Sequence, residues 1–159
     1  MSPAQSLQEK LLKGGLIDSS VVARDEAISA AKAAGMTAYI VDCDRARSRS
    51  AVLRAVVKAV DFPEFFGGNL DALFDCLCDT VLDNRNGLFL WFHNLHSGDP
   101  ALAGDAQAIV AVVADVVEFA ANNDRVFAYA VVHAGKHPDP EPGVQPARYS
   151  GSADDDATA

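Results

Sequence analysis

Asp71, Asp75 and Asp79 recur at i, i+4 and i+8, so on a helix their carboxylates form one stripe, about a turn apart. Like charges at that spacing cost roughly 0.2–0.5 kcal/mol per pair, and only Asp71 sits close enough to a helix start to gain from the dipole. Two accounts of such a stripe stand open: a solvated helix face, or a surface built to meet a strongly positive partner whose cations relieve the repulsion. Other residue pairs that carry chemistry are weaker. His93-x-x-His96 has the spacing of a metal pair but no third ligand at a recognisable distance along the chain. Cys76 and Cys78 point roughly 200° apart on a helix and do not converge on one ion; Cys76 reads as packing.

The elements that must hold the stripe are legible around it. Between Asp61 and Asp83 there are six acidic residues and no Lys or Arg. Pro63 and the Gly67-Gly68 pair make a tight connection, because proline fixes φ and glycine tolerates positive φ. Asn69 is placed to cap the helix that follows, and Leu70, Leu73, Phe74 and Leu77 mark its buried face. Before this stretch, TAYIVDC from Thr37 reads as a strand buried on both faces, and the run after Ser48 reads as a helix with Val52, Leu53, Val56, Val57 and Val60 inward. After it, GLFLWFHNL is a second strand. A long helix follows with Ile109, Val112, Val113, Val116 and Phe119 inward, and RVFAYAVVHA is a third strand. Strand, helical crossover and strand, repeated, predict an α/β fold with a parallel sheet.

Residues 1–36 read as a mainly helical extension. Leu7, Leu11 and Leu12 mark a short amphipathic helix stopped by Gly14-Gly15, GLIDSSVV is a short extended piece, and Asp25 is placed to cap a second helix. The extension packs on the sheet edge or mediates association. Residues 134–159 hold prolines, few apolar residues and an acidic end, and are expected to be a disordered acidic tail.

A chain of 159 residues has room for one domain with a real core. Its formal charge of −9 repels nucleic acid and attracts basic proteins. No run approaches the ~20 apolar residues of a membrane helix. The N-terminus lacks a secretory pattern, and three cysteines without framework spacing suit a reducing compartment, so a cytoplasmic protein is expected. A monomer without a cofactor or bound metal is expected.

The run FPEFFGGNLDALFDCL resembles the barstar family of intracellular ribonuclease inhibitors. That family's pattern, Pro-acidic-aromatic-aromatic-Gly-x-Asn-x-Asp-Ala-Leu-x-Asp-x-Leu, is met at Pro63, Glu64, Phe65, Phe66, Gly67, Asn69, Asp71, Ala72, Leu73, Asp75 and Leu77. The resemblance covers roughly residues 37–133. It implies a three-stranded parallel sheet flanked by helices and a protein that is no catalyst, whose acidic helix and preceding loop enter the active site of a small microbial ribonuclease. Carried onto this sequence, it gives Phe65 as the loop aromatic, Asp71 and Asp75 as the helix carboxylates, and Glu118 as a further carboxylate on the last helix. Gly67 and Asn69 hold the loop, and Phe74 and Asp79 complete the partner-binding set. A ribonuclease presents Arg, Lys and His to phosphates, so carboxylates at similar spacing can occupy the same sites. The sequence departs from the family where Phe65 lacks a tyrosine hydroxyl, Phe74 replaces a tryptophan and Gly68 replaces an acidic residue.

Two alternatives remain. A barstar-like immunity protein against a different toxin nuclease, or a binder of another basic protein, uses the same acidic face. Separately, Asp42-Cys43-Asp44 at a strand end resembles the Asp-x-Asp of haloacid-dehalogenase-like phosphatases, in which one carboxylate is the nucleophile beside Mg²⁺. The Lys and later acidic pair of that family have no counterpart here.

Overall fold

The computed structural model describes residues 3–135. The tail expected over 134–159 therefore lies outside the described residues, apart from Ala134 and Gly135. In chain order the elements are α1 (Pro3–Lys13), β1 (Gly15–Leu16), α2 (Arg24–Ala33), β2 (Thr37–Asp42), α3 (Arg49–Val60), α4 (Leu70–Asp83), β3 (Leu88–Leu95), α5 (Ala103–Asn122) and β4 (Phe127–His133). The strands form one sheet in the order β1-β4-β3-β2, and every pairing is parallel.

The α/β architecture with helices on the sheet is as expected, but the strand number is corrected from three to four. The added strand is only Gly15–Leu16, paired with Ala128 and Tyr129 of β4. Two residues carry no periodicity, so no sequence pattern announces it. What makes the pairing possible is the Gly14-Gly15 turn, at φ +85° and +94°. A Cβ on Gly14 would stand 3.1 Å from the Phe127 carbonyl oxygen, a contact tighter than side chains usually make, and the positive φ there also favours glycine.

β2 also departs from expectation. Its apolar run reads as buried on both faces, yet it is the edge strand opposite β1, and Ile40 is 39% exposed. Composition alone cannot separate an edge from a central position when the run is short and apolar. β4 and β3 are the interior strands, and Leu88 to Phe92 of β3 are buried on both sides.

Alternation along the strands divides the interior in two. Val41, Leu88, Leu90, Phe92, Phe127, Tyr129 and Val131 face α3, α4 and α5 and join the larger cluster with Val56, Leu73, Leu77, Ile109 and Val116. Phe89, Trp91, Ala128 and Ala130 face the other way, where α1 and α2 cover them with Leu7, Leu11, Ala27 and Ala31. The N-terminal extension thus forms the second helical layer. In α1, Leu7 and Leu11 are buried as the spacing predicts, while Leu12 stays 45% exposed. The cap of α2 is Ala23, with no side-chain hydrogen bond, and Asp25 lies inside the first turn, paired with Arg24 at 3.1 Å.

Candidate functional site

The loop before α4 is fastened at both ends. α3 ends at Asp61, whose left-handed conformation (φ 57°, ψ 46°) turns the chain back with its N–H on the Val57 carbonyl. Gly67 adopts φ +69°, and Asn69 Oδ1 accepts the Ala72 N–H at 3.1 Å, capping α4 as expected. Asn69→Ala is expected to cost about 1 kcal/mol of stability by urea denaturation; a loss near zero would mean that the cap is dispensable.

Between those ends the aromatic side chains form a layered cluster. Phe65 is 39% exposed, stacked on Phe66 with ring centroids 6.1 Å apart, and Phe66 meets Phe62 edge-on at 6.3 Å. The guanidinium of Arg54, on α3, lies 4.1 Å from the Phe65 ring centroid. That is a cation–π contact, so one face of Phe65 is already covered. Arg49 fits beside the loop because residue 68 is glycine: a Cβ there would stand 3.3 Å from Arg49 Nε. Arg49 in turn pairs with Asp105 of α5 at 3.6 Å.

On α4 the carboxylates fall as the spacing predicts. Asp71, Asp75 and Asp79 are all exposed, and none has an ion-pair partner among the described residues. Behind them Leu73, Cys76, Leu77, Cys78 and Val81 are buried, while Leu70 and Phe74 are half-buried. The buried arc is wider than the predicted stripe because α4 packs on α5 and also meets α3, so both Cys76 and Cys78 lie inside. Phe74 packs edge-on against Phe119 of α5 at 6.2 Å. This contact brings the α5 turn that carries Glu118, exposed, alongside α4. The structure thus gathers Asp71, Phe74, Asp75 and Asp79 on one helix, sets Phe65, Gly67 and Asn69 at its entry, and places Glu118 on the adjoining helix.

Two residues escaped the sequence reading. Leu82 lies seven residues past Asp75, near two full turns, and is 38% exposed on the acidic face; that spacing was readable. Arg54 was not, since no local rule connects a helix residue to a ring eleven positions later in a loop.

Burial pushes the three thiols up: Cys43 to about 12, with Asp42 adding to the effect, and Cys76 to about 12, with Asp79 adding. Cys78 rises to about 11 through burial first and then Asp75 and Asp79. They stay protonated at neutral pH, and the native protein is expected to react slowly with a thiol reagent at about pH 8 and fully once unfolded. Because the folded state holds these protons when an unfolded thiol, near 9, has lost its own, stability falls as pH rises from about 9 towards 12. Denaturation midpoints across that window check the sign.

The other chemistry-bearing residues are engaged locally. Asp42 Oδ1 accepts the Asp44 N–H at 3.1 Å, and Asp44 Oδ1 accepts from Asn94 Nδ2 at 3.0 Å. His96 is buried, and its Nε2 donates to the Asp44 carbonyl at 2.7 Å. Among the described residues no group of three His, Cys, Asp or Glu side chains is arranged to hold a metal.

These features define an α/β domain with a solvent-facing carboxylate surface that has no ion-pair partner among the described residues. The family model described as Barstar (barnase inhibitor) matches residues 36–132, and the chain belongs to the barstar family. No curated protein matches the chain significantly. Among the described residues no helix is long and apolar enough to cross a membrane.

Proposed function

We propose that this protein is a non-catalytic inhibitor of a small basic ribonuclease, which it blocks by seating α4 and the preceding loop in the active site. The observation that carries the reading is the stripe of Asp71, Asp75 and Asp79, exposed and without an ion-pair partner among the described residues, on a helix whose other side is core. A carboxylate stripe with no cation beside it among the described residues is costly in the free protein and is relieved by an external one. Glu118 extends the surface onto α5, and Phe65, Gly67 and Asn69 shape its entry. The buried, protonated thiols fit action inside the cell, in a reducing compartment.

Arg54 favours one variation on the partner. A cation lying on Phe65 meets whatever approaches the loop, so a hydrogen-bond or anionic acceptor is expected at that edge of the target's cationic pocket. Association of the protein with a small guanyl-specific microbial ribonuclease, followed by stopped-flow fluorescence over rising salt, tests the electrostatic basis. The expected rate is fast at low salt and falls steeply as salt rises. A rate indifferent to salt would contradict the reading.

A further inference from the structure

We propose that the free edge of β2 and the flanking face of α3 form a two-fold interface with a second copy of this chain. Among the described residues β2 pairs only with β3. Thr37 and Cys43 direct their N–H groups to the Gly87 and His93 carbonyls of the β3 side, both at 2.9 Å. Alternation then turns the N–H and C=O groups of Ala38, Ile40 and Asp42 outward, where no strand of the described residues meets them. Natural edge strands are usually blunted by Lys, Pro or a bulge. The run TAYIVD has no Lys or Pro, its pairing with β3 is continuous, and Ile40 is exposed at its middle.

Beside this edge runs a groove of about 510 Å³ between β2 and α3. On the α3 side it is lined by Ala51, Ala55 and Ala59, at i, i+4 and i+8, which leave room for a second helix to approach. Its charges select the occupant. Asp42 and Asp44 stand at the C-terminal end of β2, with Arg45 next to them. α3 returns along the strand, so Lys58, in its last turn, lies towards the start of β2, and Arg54 lies between. Arg45, Arg54 and Lys58 have no ion-pair partner among the described residues. A wholly acidic segment would meet Asp42 and Asp44, and a wholly basic one would meet the three cations. A copy related by a two-fold axis through Ile40 meets neither conflict: Lys58 of each faces Asp42 and Asp44 of the other, while the outward backbone groups pair antiparallel. None of the groove's lining belongs to α4; the groove adjoins the partner-binding loop at Arg54, whose guanidinium also covers Phe65. This departs from the monomer expected from sequence.

Sedimentation velocity of the full chain, from low micromolar to several hundred micromolar, tests the interface. A concentration-dependent dimer is expected. Lys58→Asp and Asp42→Lys, both at exposed positions, should each raise its dissociation constant roughly tenfold or more by setting like charges face to face. The double variant should restore association, and Ile40→Lys should abolish it, with circular dichroism confirming that each variant is folded. A monomer throughout overturns the proposal. So does a dimer indifferent to these changes, which would place the contact elsewhere, or a double variant that fails to restore it.

Discussion

Asp75→Ala is expected to weaken the complex with a basic ribonuclease by about 2–5 kcal/mol, a rise in Kd of roughly 30-fold to several thousand-fold. The residue stands at the centre of the stripe, one turn from Asp71 and one from Asp79, which on the proposed reading is where a partner's cations would be most fully stripped of water. Removing its carboxylate strands those cations in the closed interface. The range is the general one for desolvated charge pairs, the barstar complex among its source cases. In the free protein the same change should act the other way. It removes two repulsive i, i+4 neighbours and introduces the best helix former, so the variant should unfold slightly later than the wild type. Titration calorimetry and urea denaturation of the pair of proteins check both halves. An Asp75→Ala variant with weaker folding and unchanged binding would show that the carboxylate belongs to the structure and not to recognition.

The second large effect lies far from that face. Leu11 of α1 is fully buried against the sheet side that carries Phe89 and Trp91. Leu11→Ala is expected to cost about 2–5 kcal/mol, since the lost transfer energy and the cavity left behind add together. The residue precedes the family match, which begins at residue 36. Its effect therefore reports whether the N-terminal helices fold in one unit with the sheet. A loss below about 1 kcal/mol, or an early separate transition in urea, would mean that α1 is a loosely held cover.

What could be read from the sequence is what depends on neighbours along the chain. The Asn69 cap, the Gly67 turn, the inward face of α4 and the acidic stripe follow from spacing within a dozen residues, and they stand where expected. The two-residue strand at Gly15 depends on a carbonyl more than a hundred positions away, and the edge position of β2 depends on how the strands are ordered. Neither leaves a local trace. The Arg54–Phe65 contact is missing from the sequence reading for the same reason: the Asp61 turn folds the loop back on α3, and only then do the two side chains meet. The covering role of α1 and α2 was partly visible in the spacing of Leu7 and Leu11. Which surface they cover was not, because β3 reads as apolar on both sides whichever helices lie there.

RNA cleavage by a small guanyl-specific microbial ribonuclease, titrated with the wild-type protein and in parallel with Asp75→Ala, tests the central claim most directly. Cleavage should fall linearly to zero at an equimolar ratio for the wild type, and the variant should need a large excess to achieve the same. Undiminished cleavage in the presence of excess, correctly folded wild-type protein would contradict the account.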